Sequence, residues 1–143
     1  MRKLTLFVLV TAMLFVLSPG HASEITVYKA ATCGCCNKWV DHLERAGFTV
    51  KAHNVVDVVE YKIRHGVSPE LGSCHTALVD GYVIEGHVPA DDIKRLLKER
   101  PVATGLAVPA MPMGSPGMEG HRKDDYEVVL FGRDGSRKVF ARH

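Results

Sequence analysis

Cys33, Cys35 and Cys36 fall within four residues, and the fourth cysteine, Cys74, stands directly before His75. Thiolates are nucleophiles, disulfide partners and soft metal ligands, so the pattern admits three chemistries: dithiol exchange, a structural metal clip or a soft-metal site. Cys33 and Cys36 have the Cys-x-x-Cys spacing of a dithiol exchanger, with Cys33 as the exposed nucleophile and Cys36 as the resolving thiol; Cys35 is surplus to that chemistry. Structural zinc prefers two well-spaced chelating pairs, which the adjacent Cys35-Cys36 fits poorly. An iron–sulfur cluster calls for repeated Cys-x-x-Cys runs, and Cys33 to Cys36 is the one such spacing here. As disulfides, four cysteines allow three connectivities, of which Cys33–Cys36 with Cys35–Cys74 is the geometrically natural one.

The elements that must hold these residues follow from the periodicity. Glu24 to Tyr28 alternates polar and apolar side chains as a first strand does, and the cysteine cluster follows it. From Asn37 to Ala46, the apolar residues Trp39, Val40, Leu43 and Ala46 recur at helical spacing, and Gly47 suits the left-handed residue that ends a helix. The cluster therefore occupies a strand-to-helix loop at a helix N-terminus, where free backbone N–H groups and the helix dipole favour thiolate over thiol. Phe48 to Val56 reads as a second strand, with Asp57 capping a short helix that runs to about Arg64. Gly66, Ser68, Pro69 and Gly72 then form a loop leading to Cys74. Thr76–Val79 and Tyr82–Glu85 flank Asp80-Gly81, the dipeptide of a two-residue hairpin turn. Pro89 to Arg100 closes the run as a helix with Ile93, Leu96 and Leu97 on one face and Asp91 and Asp92 in its first turn.

The order β-α-β-α-β-β-α is that of an α/β thioredoxin-like domain with a mixed sheet. In it, the loop after the first strand and the loop before the third meet at one end of the sheet, bringing Cys33, Cys35 and Cys36 opposite Cys74 and His75. Thioredoxin-like enzymes usually carry a cis-proline in the second of these loops; here the place holds Cys74-His75-Thr76. Pro101 to His121 is rich in proline, glycine and methionine and shows neither strand nor helix periodicity, so it reads as a lid tethered at both ends. Tyr126–Phe131 and Lys138–Ala141 read as a closing hairpin within residues 126–141.

Residues 1 to 22 set the compartment. Arg2 and Lys3 precede a mainly apolar run from Leu4 to Leu17, and Gly20-His21-Ala22 offers small residues for cleavage before Ser23, the pattern of a secretory signal peptide. No cysteine lies at the cleavage point, which argues against a lipid anchor. The domain is then residues 23 to 143. The full chain has 18 Lys and Arg against 16 Asp and Glu, and losing the two leader cations leaves 16 against 16. That balance excludes a nucleic-acid footprint and a basic membrane-binding surface.

Several linked motifs make the chain recognisable: Cys33-Gly34-Cys35-Cys36, Ser73-Cys74-His75-Thr76-Ala77, Gly81 to Pro89, and Pro109-Ala110-Met111-Pro112-Met113-Gly114-Ser115-Pro116-Gly117-Met118-Glu119. Together, over residues 25 to 119, they resemble the CopG-type exported copper-resistance family. The resemblance implies a thioredoxin-like fold, copper as ligand, and copper tolerance in the periplasm, alongside other periplasmic copper-handling proteins. It also places Cys33, Cys35, Cys36 and Cys74 in the copper site. The C-terminal hairpin matches none of its motifs.

The chemistry agrees independently, since thiolates and thioethers select Cu(I). Three thiols in Cys-x-Cys-Cys are too crowded to chelate one ion at relaxed angles, and bridging between ions relieves this, so a polynuclear, thiolate-bridged cluster is expected. His75 reads as a ligand or as a hydrogen-bond partner of one. Met111 and Met113 read as lid contacts, whereas Met118 fits gap-filling equally well. His42, His53, His65, His87, His121 and His143 are scattered and read as solvated or locally bonded, and Trp39 reads as core. Thiol–disulfide exchange through Cys33 and Cys36 stays the alternative function.

Overall fold

The computed structural model describes residues 23 to 143, so the leader and its cleavage point lie outside the described residues. β1 (Glu24–Lys29) alternates as its sequence requires: Ile25 and Val27 are buried, while Thr26 and Tyr28 occupy the opposite face. α1 (Gly34–Arg45) starts three residues earlier than its apolar periodicity suggests, because the cysteines themselves build its first turn. It leads to β2 (Thr49–Asn54), which lies parallel to β1. α2 (Val58–Arg64) is capped by Asp57, whose Oδ1 accepts the N–H groups of Val59 at 2.8 Å and Glu60 at 3.4 Å. A short 3-10 turn, Pro69–Leu71, precedes β3 (His75–Val79).

β3 and β4 (Tyr82–Glu85) form the expected hairpin, and Asp80 and Gly81 take φ of 46° and 85°, the left-handed pair of a two-residue turn. α3 (Ala90–Glu99) follows. The order is β2-β1-β3-β4, with β1 parallel to β2 and antiparallel to β3, so the sheet is mixed as expected. α1 and α3 contribute Trp39, Leu43, Ile93 and Leu96 to one core with Ile25, Val27 and Ile84 of the sheet. Fully burying such side chains stabilises by roughly 1.5–3 kcal/mol each. A smaller core on Val67, Leu71, Val83, Ala107 and Phe131 gathers the segment after α2 with β4, β5 and β6.

The sheet is larger than the sequence suggested. β5 (Gly105–Ala107) lies within the segment expected to be irregular; it pairs parallel to β4 and joins the core sheet to β6 (Glu127–Phe131) and β7 (Arg137–Arg142). Three residues are too few for alternation to be legible, and all three are buried, so no polar face marks them. Gly105 is required there: a Cβ would collide with the carbonyl of Val83. The closing hairpin thus completes one seven-stranded mixed sheet.

The rest of that segment is irregular but internally bonded. Met118 N–H donates to Ser115 O at 2.8 Å, Gly114 N–H to Met118 O at 2.9 Å, and Asp124 N–H to Met113 O at 2.9 Å. Among the described residues, no helix is long and apolar enough to cross a membrane.

Candidate metal centre

Cys33 is the N-cap of α1, and its Sγ accepts the Cys36 N–H at 3.3 Å. No acid stands in the first turn, so the free N–H groups and the helix dipole act on the sulfurs unopposed. Cys36, Trp39 and Leu43 form the buried stripe of the helix, which sets Cys36 inward and leaves Cys33 and Cys35 half-buried at the rim. Cys33 and Cys36 are joined in a disulfide, while Cys35 and Cys74 are free thiols.

The fold brings all four sulfurs together. Cys35 Sγ lies 3.5 Å from Cys33 Sγ and 3.9 Å from Cys74 Sγ, and Cys36 Sγ lies 3.5 Å from Cys74 Sγ. The set is compact enough to hold a metal ion, every ligand atom being within 4.8 Å of the others. Of the connectivity that reads as natural for four paired cysteines, the Cys33–Cys36 bond is formed, and Cys35 faces Cys74 unbonded.

Two imidazoles extend the cluster. His75 Nδ1 is 3.3 Å and His87 Nε2 3.0 Å from Cys74 Sγ, making a second compact group of Cys74, His75 and His87. His87 Nδ1 is 2.7 Å from the Pro116 carbonyl, which can only accept, so Nδ1 carries the proton and Nε2 presents its lone pair to the sulfur. His75 is fully buried against Trp39, ring centroids 4.3 Å apart, and its Nε2 has no hydrogen-bond partner among the described residues. Burial holds the pKa of His75 well below the ordinary range and that of His87 below it, so both rings are neutral near pH 7 and able to ligate. Burial, and then the neighbouring Cys35, push the Cys74 thiol up to about 12.

Sequence reasoning set His87 among the scattered histidines. A signal for it existed: the Asp80-Gly81 turn fixes the hairpin register, Val79 facing Tyr82 and Thr76 facing Glu85. That register puts Cys74 and His87 at the same end of the hairpin, just beyond its paired residues. Trp39 is core as expected, but it also walls the site, its Nε1–H donating to Val88 O at 2.9 Å.

The segment from Pro109 to Glu119 does cover the site, by backbone more than by methionine. Gly117, at φ 88°, packs so closely on the first turn of α1 that a Cβ would lie 2.6 Å from Cys35 O and 2.9 Å from Trp39 N. Pro116 supplies the carbonyl to His87. Met111 is exposed and Met113 half-buried, the latter lying over Gly120. A cavity of about 730 Å³ lies elsewhere, lined by Pro109, Pro112, Tyr126 and His143 among others; its walls offer no thiol.

Crowded sulfurs with neutral imidazoles suit a soft ion rather than a hard one. A family model described as "Protein of unknown function, DUF411" matches residues 71–118, which carry Cys74, His75, His87 and the covering segment. No curated protein matches the chain. Among solved structures, "Copper resistance protein copG- Form 2" is 49% identical, with a TM-score of 0.81, over 85% of this chain and 98% of that one. "Copper resistance protein copG- Form 1" is 50% identical, with a TM-score of 0.79, over 84% and 96%. Identity of this order across nearly the whole of both chains, together with the four convergent sulfurs, makes this protein a member of the CopG copper-resistance family.

Proposed function

We propose that this protein binds Cu(I) in the periplasm as part of copper resistance, through a thiolate-bridged site on Cys33, Cys35, Cys36 and Cys74 that holds more than one ion. The observation that carries the reading is the convergence of four sulfurs from the tip of α1 and the loop before β3. His75 and His87 complete the donor set, since His75 Nδ1 and the lone pair of His87 Nε2 both lie against Cys74 Sγ, which suits ligands better than core residues. Met111 and Met113, on the covering segment, are available as outer thioether donors. Copper supplies the affinity for soft donors. The chain's own part is to gather the sulfurs, exclude water with residues 115–117, and offer Cys33 and Cys36 as ligands once an external dithiol has reduced their bond, passing two electrons and two protons to the pair and leaving as a disulfide itself. Other periplasmic copper-handling proteins are the partners for exchange.

Anaerobic titration of reduced residues 23–143 with Cu(I), against a competing chelator and with metal counted per chain, tests this. More than one tightly held Cu(I) per chain is expected. A firm limit of one removes the bridged cluster, and no competition with the chelator removes the copper reading itself. In that last case the Cys33–Cys36 bond at the tip of α1 favours thiol–disulfide exchange.

A further inference from the structure

We propose that Glu85, paired with Lys62, is a positioning residue that sets Cys74 at the metal site; the inference rests on the copper-binding reading above. Cys74 lies just before β3, so the sheet ladder does not hold its backbone. Its sulfur must nevertheless meet groups from two other parts of the chain, Cys35 and Cys36 of α1 and His87 beyond β4.

One carboxylate fixes the residues on either side. Glu85 is fully shielded from solvent at the end of β4. Its Oε1 accepts the Ser73 N–H at 2.7 Å and Lys62 Nζ at 2.5 Å, and its Oε2 accepts the Thr76 hydroxyl at 2.7 Å. Lys62 Nζ reaches the Thr76 Oγ1 as well, at 3.2 Å. Gly86 N–H, the next backbone group, donates to His75 O at 3.1 Å. The residue before Cys74 and the two after it are thus bound to Glu85 and its neighbour.

Stability alone does not account for such a pair. Desolvating a carboxylate and an ammonium opposes folding, and well-packed apolar residues of similar volume serve a core as well or better. What the charged pair supplies is direction: donors from Ser73, Lys62 and Thr76 converge on one group and leave the loop a single arrangement. α2 buries no residue of its own, and Lys62 gives it a polar anchor in this network.

The test is the double variant Lys62→Met/Glu85→Met, which removes both charges and keeps side-chain volume. With Cys35→Ser added and the Cys33–Cys36 bond intact, Cys74 is the one free thiol, and its alkylation by iodoacetamide is read in metal-free protein. The expected result is a folded protein whose unfolding temperature is lowered by the loss of the acceptor for Ser73 N–H and the Thr76 hydroxyl, alkylation at least tenfold faster than in Cys35→Ser alone, and Cu(I) affinity of the reduced protein, with Cys35 restored, at least tenfold weaker. Unchanged alkylation in a folded double variant overturns the proposal. Absence of Cu(I) binding by the wild-type protein overturns the functional reading instead. Should the double variant fail to fold, Lys62→Met/Glu85→Gln, which keeps an acceptor for Ser73 and leaves the net charge unchanged, decides: faster alkylation supports positioning, and an unchanged rate overturns it.

Discussion

At the scale of the residue, Cys74 is the hinge of the site. Its sulfur lies within 4 Å of Cys35, Cys36, His75 and His87, more of the cluster than the contacts of any other cysteine join. Cys74→Ser replaces a soft ligand with a hard, poorly ionised one. The variant is therefore expected to lose most Cu(I) binding, while insulin reduction through Cys33 and Cys36 stays at the wild-type level. Unchanged copper affinity would contradict the placement of Cys74. The four cysteines were legible at this scale because thiols announce their chemistry by type and spacing. His87 and Glu85 were not, since a histidine or a glutamate in a strand-to-helix connection is ambiguous until its neighbours are known.

At the scale of the element, the tip of α1 and the segment over it work as one unit. The dipole end of α1 faces the sulfurs, and Gly117 lets the covering backbone settle directly on it. Gly117→Ala adds a Cβ against Cys35 O and Trp39 N at a positive φ that L-residues rarely adopt, so the segment must lift. The expected outcome is faster iodoacetamide labelling of Cys35 and Cys74, with the far-ultraviolet circular dichroism spectrum unchanged; wild-type labelling would show that the segment does not shield the site. The helices and longer strands were legible because their apolar residues recur at 3.6 or 2 over a full element. β5 escaped because it is short and buried throughout, and the lid's contacts were assigned to Met111 and Met113 although Gly117 and Pro116 make the close ones.

At the scale of the whole molecule, the C-terminal hairpin extends the sheet, and His143 reaches back to Asp92 of α3 at 2.7 Å. Burial runs through the molecule and gives stability a definite pH dependence. His42, His65, His75 and His87 are each held below the usual 6.5, with desolvation the largest cause. The unfolded chain takes up protons at these four positions as pH falls through about 6.5. The folded chain resists until lower pH, so stability is present above that point and is lost on acidification. Glu85, pushed up by burial and only partly restored by Lys62, acts with the opposite sign, and the histidines outnumber it. Denaturant unfolding of the metal-free protein is expected to show falling stability from pH 7 to pH 5, and a flat profile would contradict these burials. His42 adds a local reason: its Nε2 accepts the Ala90 N–H at 3.0 Å at the start of α3, a bond that protonation removes.

By itself, the sequence determined the chemistry on offer and the local elements: soft ligands at a helix tip, a βα order with a tight hairpin, and an irregular covering segment. These are properties of residue type and of periodicity over a few turns, which short-range sterics and solvation impose. Tertiary structure decided which groups meet. The turn at Gly86 beyond β4 carried His87 to Cys74, the crossing of α2 brought Lys62 to Glu85, and strand pairing bound the last hairpin to the core. Such meetings depend on backbone paths far apart along the chain, where no local pattern records the outcome.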